Sequence, residues 1–414
     1  MNSLVRFWLT PKFPRAQVNK IFTSRPSGLG SLISDFIKTW CIHPVKRRIA
    51  KYYLLFLQSF FDITIIGITG SAGKTTTKDM LASILKYFGE TVYSYANIDP
   101  IYNIPSTILR CKPSTKYLVL EMGVEYPGEM DFYLWLAKPD VGIITNIYPT
   151  HTQYLGSISG VYKEKAKLFR GLVKGGYAIL KLGDKYLDKV RVGHNVEVVR
   201  FGNGGNVRSS NERYTKDYKT QFSLISDYIP KKEVVVTIPI LGKQFISDAL
   251  AASACAIVLG VSTESIIKGL EHFSPQKHRM QVIKLSNGTI VIDDTYNNNP
   301  EAAKEALKTL AFFVRRKKIL VFGDMLELGQ LEKSAHIELG RKIADSKVDY
   351  LIGVGPLSKY LVQAAKRKLH NSSFWVSSVD EVKPLLSSLI DRETALLLKG
   401  SRAIGLDKIV SQLI

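Results

Sequence analysis

Short apolar runs alternate with amphipathic stretches along most of the 414-residue chain. The run 63–69 is rich in β-branched residues, and further buried-strand patterns occur at 116–122, 141–147 and 177–182. Helical spacing of apolar residues lies between them, most clearly at 160–172. Because strands that alternate with helices assemble into a parallel sheet flanked by helices, this pattern predicts an α/β domain.

The alternation changes twice toward the C-terminus. Between 201 and 240, turns rich in Gly, Asn and Ser separate short strand patterns, which predicts an antiparallel appendage. Beyond Ser274 and Pro275, strands and helices alternate again to the end of the chain, which predicts a second, Rossmann-like α/β domain. No G-x-G-x-x-G follows its first expected strand, 289–293, so a dinucleotide cofactor is not indicated.

A glycine-rich segment, T-G-S-A-G-K-T-T-T (69–77), stands between the first strand and a helical pattern at 79–87. Glycines let backbone N–H groups turn toward a polyphosphate, and the helix N-terminus favours negative charge. Lys74 can reach the β- and γ-phosphates, and the Thr75 hydroxyl can ligate Mg²⁺. A chance Lys-Thr pair in a turn is the alternative, which the order strand, turn and helix disfavours. The predicted phosphate loop comprises Gly70, Ser71, Ala72, Gly73, Lys74, Thr75 and Thr76.

The predicted organisation therefore has three parts. We expect a central P-loop ATPase domain with a parallel sheet and a C-terminal Rossmann-like domain, preceded by a short N-terminal segment that is basic and apolar. The expected bounds are 1–62, 63–275 and 276–414.

The charge is strongly basic, with 57 Lys and Arg against 36 Asp and Glu and a net charge of +21. Such a charge favours anionic partners such as nucleotides, phosphorylated substrates or an acidic membrane, and it also fits a basic solvated exterior. No recognition motif accompanies the charge, so nucleic-acid binding is not expected. The three cysteines, Cys41, Cys111 and Cys255, show no C-x-x-C spacing, which favours a reducing cytoplasm over disulfides or zinc.

The apolar segment 49–61 follows the basic cluster Lys46, Arg47 and Arg48. It is too short to span a bilayer and contains Lys51. Two alternatives stay open. One is a helix that lies on a membrane surface and gives residues 43–61 a peripheral membrane contact, and the other is a helix packed on the next domain.

Three polar residues of the central domain are candidates for metal chemistry. Glu121 ends the strand pattern 116–122, where a carboxylate in the same sheet as the phosphate loop can hold Mg²⁺. His151 follows the pattern 141–147 and can ligate a second divalent ion, although a solvated loop histidine is the alternative. Lys165 shares its helix with three other basic residues, and spacing alone does not separate it from a solvated basic face.

Three polar groups follow strands of the second domain, at 293–300 (D-D-T-Y-N-N-N-P), 323–329 (G-D-M-L-E-L-G) and 399–402 (K-G-S-R). Because ligands bind at the carboxyl ends of strands in open α/β sheets, we expect the three groups to meet in a cleft. Carboxylates there can accept from ribose hydroxyls and amides can read a base, whereas a plain strand-to-helix turn is the alternative for 293–300.

Taken together, these motifs resemble the Mur ligases, ATP-dependent enzymes that extend the peptide of peptidoglycan precursors. They run in the order of that family over residues 63–414. The Y-N-N-N-P segment and G-D-M-L-E-L-G, followed by His336, resemble the branch that adds D-alanyl-D-alanine to UDP-N-acetylmuramoyl-tripeptide.

The resemblance implies a catalytic set of Lys74, Glu121, His151 and Lys165. Lys74 and Thr75 would hold ATP and Mg²⁺, Glu121 and His151 would ligate two Mg²⁺ ions, and Lys165 would be carbamylated and serve as a further metal ligand. From the last domain, the implied nucleotide contacts are Arg279, Asp294, Asn297 and Asn299, and the implied substrate contacts are Lys399, Ser401 and Arg402.

The resemblance also implies phosphoryl transfer from ATP to a carboxylate, followed by amide formation. The implied partners are small molecules, UDP-muramoyl-peptide and D-alanyl-D-alanine, and we expect a monomer in the cytoplasm, at the inner face of the membrane in one alternative.

Three departures from the family pattern keep other functions open. About 62 residues precede the phosphate loop, where the family usually has a domain for the UDP-sugar; the expected loop 97–105 lacks the usual paired asparagines; and Asp248 replaces an adenine-reading asparagine. The alternatives are the same chemistry on another, lipid-linked carboxylate, or a non-catalytic nucleotide-binding scaffold associated with the membrane.

Overall fold

A computed structural model describes residues 8, 10–17, 34, 36–95, 98–229 and 233–414. Much of the expected N-terminal segment 1–62 lies outside these residues. The chain divides into two compact units. Unit 1 comprises Met1–Ser210, Ser223–Val236 and Ser247–Phe273, and unit 2 comprises Asn211–Phe222, Thr237–Ile246 and Ser274–Ile414.

The first sheet has nine strands in the order β2-β3-β1-β4-β5-β6-β7-β8-β9. The first seven strands along the chain pair in parallel, as the alternating pattern predicts. Their β-branched and aliphatic residues fill a core between the sheet and its helices. The strands are β1 (Thr64–Thr69), β2 (Thr91–Tyr93), β3 (Tyr117–Glu121), β4 (Val141–Ile144), β5 (Tyr177–Lys181), β6 (Glu197–Phe201), β7 (Val207–Tyr214), β8 (Thr220–Ser226) and β9 (Glu233–Ile238).

The strand β7 and its neighbour β8 form the expected antiparallel appendage. At one end of the pair the Thr215 N–H donates to Lys219 O at 2.9 Å, and at the other the Asp227 N–H donates to Asn206 O at 3.0 Å. Bonds that close both ends of two consecutive strands are those of a hairpin, so this pair is antiparallel.

Eight helices accompany the first sheet in the described part of the chain, and the helix after β1 begins at the phosphate loop itself. They are α1 (His43–Phe60), α2 (Lys74–Leu85), α3 (Pro100–Ile108), α4 (Glu129–Leu136), α5 (Thr152–Leu155), α6 (Ile158–Arg170), α7 (Gln244–Val258) and α8 (Thr263–Glu271).

Helix α1 contains most of the apolar segment 49–61 and follows a π-helical turn, Lys38–Ile42. Its buried face, formed by Ala50, Leu54 and Leu57, belongs to the core of unit 1. Packing on the next domain is thus confirmed for this face of the helix. In the ranges that the structure describes, no helix has both the length and the hydropathy required to cross a bilayer.

The expectation of a loop at 97–105 is wrong over most of its length, because α3 begins at Pro100. The Asp99 side chain accepts from the Ile101 N–H at 3.0 Å, and Pro100 occupies the first helical position. An Asp N-cap followed by Pro is a strong signal for the start of a helix. The expectation of a loop considered only the missing asparagines and not this signal.

The sheet of unit 2 has six strands in the order β10-β11-β15-β12-β13-β14. All neighbours pair in parallel except β10, which runs antiparallel to β11. The strands are β10 (Gln281–Lys284), β11 (Ile290–Asp294), β12 (Lys317–Gly323), β13 (Tyr350–Val354), β14 (Ser373–Val376) and β15 (Thr394–Lys399). The helices are α9 (Pro300–Leu310), α10 (Glu332–Ala344), α11 (Ser358–Leu369), α12 (Val382–Leu389) and α13 (Asp407–Leu413).

The predicted position of the first strand in this domain is wrong. The strand expected at 289–293 is the second one, β11, because β10 precedes it. Only four residues long and only partly buried, β10 carries too weak an apolar pattern to be recognised by periodicity.

Candidate active site

The phosphate loop is shaped by two glycines in backbone conformations that other residues rarely adopt. Gly70 has a φ of +149° and Gly73 a φ of +80°. A Cβ atom at Gly70 would lie 1.9 Å from Thr145 Oγ1, and one at Gly73 would lie 2.1 Å from Asp248 Oδ1. Glycine is therefore required at both positions for conformation and for space.

The residues that follow β4 hold this loop in place. The Ala72 N–H donates to Asn146 Oδ1 at 2.8 Å, and the Ser71 N–H donates to Asn146 O at 3.0 Å. Thr145 Oγ1 donates to Ala72 O at 2.6 Å. Thr145 and Asn146 were not among the predicted site residues, although they belong to the T-N-I-Y-P-T-H segment that carries His151.

Helix α2 starts at Lys74, directly after Gly73, so its free N–H groups point toward the loop. Lys74 Nζ donates to Gly70 O at 3.0 Å, which keeps the ammonium group over the loop. Thr75 and Thr76 are buried in the first turn of the helix. The predicted loop residues are thus contiguous and form one concave, cationic helix terminus, the arrangement that binds phosphates.

Glu121 lies beside this helix terminus because β3 pairs with β1 and places Glu121 opposite Ile68. Thr75 Oγ1 donates to Glu121 Oε1 at 3.0 Å. A hydroxyl and a carboxylate this close to a phosphate loop are two hard oxygen donors of the kind that Mg²⁺ prefers. The pair predicted from the sequence is therefore brought together, and its chemistry fits a magnesium ion.

Lys78 is a further charged residue at Glu121 that the sequence analysis missed. Its side chain is 1 % exposed, and its Nζ lies 3.9 Å from Glu121 Oε2 and 3.1 Å from Asp79 Oδ1. Glu121 is thus held on one oxygen by Thr75 and approached on the other by an ammonium group. In the sequence, Lys78 is simply a lysine after three threonines, and a lysine on the exposed surface of a helix would look the same.

The burial of Lys165 separates it from the other basic residues of α6. Its side chain is almost fully enclosed, whereas Lys163 is exposed and Lys167 pairs with Asp131 and Glu164, both at 2.7 Å. Burial, and then the charge of Lys74, hold the pKa of Lys165 well below its usual range against the opposing effect of Glu129. A lower pKa increases the fraction of the neutral, nucleophilic amine at a given pH.

Two buried carboxylates near Lys165 were also missed. Glu129 is 2 % exposed, and burial raises its pKa to about 7. Its Oε1 accepts from Gln17 Nε2 at 2.8 Å, and its Oε2 accepts from the Glu125 N–H at 2.6 Å. Glu164 Oε1 accepts from the Gly128 N–H at 3.0 Å. Charged residues on a helix usually face solvent, so the burial of these two was not expected from the sequence.

His151 follows β4 and takes a left-handed conformation, with a φ of +53°, just before α5. Because β1 lies between β3 and β4 in the sheet, Glu121 at the end of β3 and His151 after β4 follow the two strands that flank the phosphate loop. A ring nitrogen of His151 and a carboxylate oxygen of Glu125 lie within 4.8 Å of each other. Glu125 was not predicted, and with His151 it offers ligand atoms of the type that divalent ions bind.

The three polar groups of unit 2 meet as expected, because β11, β15 and β12 are neighbours. Lys399 Nζ donates to Asp294 Oδ2 at 2.6 Å and to Asn297 O at 3.0 Å. Ser401 Oγ accepts from the Leu326 N–H at 3.1 Å. Residues that the sequence analysis assigned to two different ligands, Asp294 and Lys399, therefore form one ion pair.

Two guanidinium groups of unit 2 lie near the ring of Tyr296. The Arg279 guanidinium carbon lies 4.4 Å from the centre of the Tyr296 ring, and that of Arg402 lies 5.4 Å from it. Asn297 is exposed, whereas Asn299 is buried and accepts from the Ala302 N–H at 2.9 Å. The side-chain oxygen of Asn299 is thus engaged as the N-cap of α9, which leaves its amide NH₂ for any ligand.

His336 supports the segment 323–329. The Met325 N–H donates to His336 Nε2 at 3.0 Å, so Nδ1 carries the proton and donates to Glu332 O at 2.7 Å. Burial lowers the pKa of His336, which keeps this neutral tautomer in place. Asp324 in turn accepts from the Ser358 N–H at 2.6 Å, so the segment is held from two helices.

Comparison with known proteins gives consistent results over most of the chain. Residues 68–256 match the Mur ligase middle domain, and residues 278–402 match the domain described as "Mur ligase, glutamate ligase domain". The chain is 34 % identical over 357 residues to the UDP-N-acetylmuramoyl-tripeptide–D-alanyl-D-alanine ligase of Buchnera aphidicola, which covers 85 % of this chain and 76 % of the relative. It is 33 % identical to the enzyme of the same name from Bacillus subtilis, over 89 % of this chain and 79 % of the relative.

Solved structures show the same fold. MurF from Acinetobacter baumannii superposes with a TM-score of 0.82 at 29 % identity and covers 90 % of this chain and 80 % of its own. MurF from Thermotoga maritima, solved in complex with ADP, superposes with a TM-score of 0.79 at 24 % identity, over 90 % of this chain and 83 % of its own. The fold, the ordered motifs and these relatives agree, and the chain belongs to the Mur ligase family.

Proposed function

We propose that this protein is an ATP- and Mg²⁺-dependent ligase that joins D-alanyl-D-alanine to the free carboxylate of UDP-N-acetylmuramoyl-tripeptide in peptidoglycan synthesis. One observation carries the proposal: the phosphate loop is complete, and its Thr75 hydroxyl bonds to the strand-end carboxylate of Glu121 at 3.0 Å. The names of the relatives supply the substrates.

Lys74 and the N–H groups at the start of α2 bind the β- and γ-phosphates in this proposal. Thr75, Glu121, His151 and Lys165 are the residues that would hold two magnesium ions. Bound magnesium would neutralise charge on the transferred phosphoryl group. Lys74 does the same from the protein side, since its Nζ already lies over the loop.

Lys165 is proposed to be carbamylated. The support is its enclosure beside Glu164 and Glu129 together with a pKa far below the ordinary value, because only a neutral amine captures CO₂. The step forms a bond between Nζ and the CO₂ carbon and releases one proton. The carbamate so formed carries a negative charge, which the lysine amine does not, and it would thereby serve as a ligand for a cation.

The residues of unit 2 are proposed to meet the nucleotide and the dipeptide. Asp294 can accept from ribose hydroxyls, and the guanidinium of Arg279 beside Tyr296 presents a flat surface for a base. The remaining proposed contacts are Asn297 and Asn299 for the nucleotide and Lys399, Ser401 and Arg402 for the incoming substrate.

In the proposed reaction, a carboxylate oxygen of the tripeptide attacks the γ-phosphorus of ATP, and the bond to the β-phosphate oxygen breaks. The products of this step are an acyl phosphate and ADP. The amine of D-alanyl-D-alanine then attacks the acyl carbon, loses a proton and expels phosphate, which leaves the amide. Because water would hydrolyse the acyl phosphate, the proposal requires that solvent be excluded during turnover.

The test is release of ADP by purified full-length protein with UDP-N-acetylmuramoyl-tripeptide, in the presence and absence of D-alanyl-D-alanine. We expect ADP release that depends on the dipeptide, with an equal amount of amide product found by mass spectrometry. A parallel arm offers lipid-linked muramoyl-peptide as the carboxylate. Release that ignores the dipeptide, or that occurs only with the lipid-linked substrate, contradicts the proposal.

We also propose a monomer and the three-part division at 1–62, 63–275 and 276–414. Light scattering coupled to size-exclusion chromatography measures the first. Limited proteolysis measures the second, with cleavage expected near residues 62 and 275 before either unit is degraded.

A further inference from the structure

Helix α1 and the turn before it carry a second apolar face, separate from the one packed in the core. Its side chains are spaced three or four residues apart along one side of the helix and are between 44 % and 71 % exposed. This spacing makes one continuous stripe rather than scattered apolar residues. The apolar stripe comprises Ile42, Val45, Ile49, Tyr52, Phe56 and Phe60.

The other side of the same helix fixes the stripe to unit 1. Ala50, Leu54 and Leu57 are buried in the core, and Tyr53 Oη donates to Cys111 O at 2.7 Å. The Arg47 guanidinium lies 4.0 Å from the centre of the Phe13 ring and is almost fully buried. The 18-residue helix, about 27 Å long at 1.5 Å per residue, is therefore held along its length with the stripe facing outward.

Between Asp35 and Asp62, the charged residues of the segment that carries the stripe are all basic. Residues 36–61 contain five basic residues and no acidic residue, and the basic ones are Lys38, Lys46, Arg47, Arg48 and Lys51. His43 reports the resulting field, because burial and then Arg47, Lys46 and Lys38 lower its pKa to about 4. A positive potential of this kind attracts a negatively charged surface.

Aromatic residues lie at the N-terminal end of the stripe. Arg48 Nη1 donates to Trp8 O at 2.8 Å, and Trp8 is 45 % exposed. The ring of Trp40 lies 6.1 Å from that of Phe36, which is also exposed. Indole rings beside arginine are typical of the boundary between lipid headgroups and acyl chains.

We propose that the apolar stripe docks α1, parallel to the surface, on a bilayer that contains anionic lipids. Apolar and aromatic side chains would enter the headgroup boundary while the exposed Lys38 and the partly exposed Lys46, Arg48 and Lys51 face lipid phosphates, as in other interfacial helices. A second copy of this chain fits the face less well, since a symmetric contact would bring together the Lys38, Lys46, Arg48 and Lys51 side chains of both copies.

The test is flotation of the full-length protein with vesicles of phosphatidylcholine alone or of phosphatidylcholine mixed with phosphatidylglycerol. We expect binding to the mixed vesicles, weak binding to phosphatidylcholine alone, and loss of binding as salt is raised. This arm uses the unaltered chain, so it does not depend on how any variant folds. Equal binding to both vesicle types, or none to either, overturns the proposal.

The stripe itself is tested with Tyr52→Glu/Phe56→Glu. Both side chains are exposed, so the fold should persist, which circular dichroism checks. We expect at least about tenfold weaker vesicle binding, because two acidic groups replace two aromatic ones at the boundary. The matched control is Val235→Glu/Val314→Glu, which places the same charges at residues 59 % and 75 % exposed outside the stripe. Lys38→Ala should weaken binding about fivefold.

Other occupants of the stripe give distinct results. If the unaltered protein is a dimer that Tyr52→Glu/Phe56→Glu makes monomeric, the face belongs to a second copy and the proposal fails. If the variant and the control bind vesicles equally, the proposal fails as well. Vesicle binding is measured without ATP or substrates, so its outcome is independent of whether the proposed ligase activity is correct. If that activity is present, dipeptide-dependent ADP release without vesicles should be unchanged in the variant.

Discussion

The carboxyl ends of the two sheets hold their charged residues in different ways. In unit 1, Lys165 is buried with a depressed pKa, and Glu121 shares its two oxygens between a hydroxyl and the more distant ammonium of Lys78. In unit 2, the buried Lys399 is matched by Asp294 at 2.6 Å and also bonds to a backbone oxygen.

Burial opposes the charge of Lys165 in unit 1, whereas the charge of Lys399 in unit 2 is balanced by Asp294. In the proposed function Lys165 takes up CO₂ and Glu121 accepts a cation, so the charge of unit 1 would change when ligands bind. The ion pair of unit 2 instead fixes the geometry of a loop, because separating a buried pair leaves an uncompensated charge. The comparison predicts that variants in unit 1 lose activity, whereas variants in unit 2 also lose stability.

The largest expected effect is that of Lys74→Ala in unit 1. Removing the ammonium over the phosphate loop should lower kcat/KM for ADP release by about 10³-fold, since one preorganised charge on the transferred group is lost. The melting temperature should change little. Lys86→Ala, which removes an exposed lysine at the other end of the same helix, is the control. Activity equal to that of the control would remove the catalytic role of the phosphate loop.

In unit 2, Lys399→Met should lower the free energy of unfolding by about 3 kcal/mol, because the partly buried carboxylate of Asp294 loses its ammonium partner. Urea unfolding at neutral pH measures this loss. The double variant Lys399→Met/Asp294→Asn should lose less than the sum of the two single variants. Lys308→Met, which breaks an exposed pair with Glu305, is the control and should cost below about 0.5 kcal/mol. Additive losses would show that the two residues act separately.

Lys165→Met is expected to lower ligase activity by at least about 100-fold through loss of the proposed carbamate ligand. The direct readout is a carbamate resonance in ¹³C NMR after incubation with ¹³C-labelled bicarbonate. Because the pKa of Lys165 is depressed, the resonance should be present near neutral pH and should fade as acid protonates the amine. Lys163→Met alters an exposed lysine of the same helix and should keep both the ligase activity and the carbamate resonance. A resonance that persists in Lys165→Met would assign carbamylation elsewhere.

The sequence predicted those features that a local motif determines. The two glycines and Lys74 lie within one short segment, and the alternating pattern placed the strands whose ends carry Glu121 and Lys399. The order of β11, β15 and β12 was not predictable from periodicity, yet their polar ends were still expected to meet, because parallel strands end on one side of a sheet.

The missed features depend on contacts between residues far apart in the chain. Lys165 and Lys163 carry the same charge two residues apart, and only packing against the rest of unit 1 encloses one of them. Burial raises the pKa of Glu129, and the bond from Gln17, 112 residues away, opposes that rise. The start of α3 is the exception, since Asp99 and Pro100 carried a local helix signal that was available.

The smallest expected change in stability at neutral to basic pH is that of a Glu129 variant. It tests whether burial in unit 1 opposes the charge of Glu129 as well as that of Lys165. Burial raises the pKa of this carboxyl from 4.5 to about 7. The folded state therefore holds a proton that the unfolded chain has already released between about pH 4.5 and 7. The free energy of unfolding should fall across this window by about 3 kcal/mol and level off above it.

The variant Glu129→Gln should flatten that part of the stability curve. Its side-chain oxygen can still accept from the Glu125 N–H, so at pH 8 its stability should lie within about 1 kcal/mol of the unaltered protein. Urea unfolding between pH 4.5 and 8 measures both curves. Asp131→Asn removes a half-exposed carboxylate two residues away and should leave the decline in place. A decline that survives in Glu129→Gln would place the titrating group elsewhere in the protein.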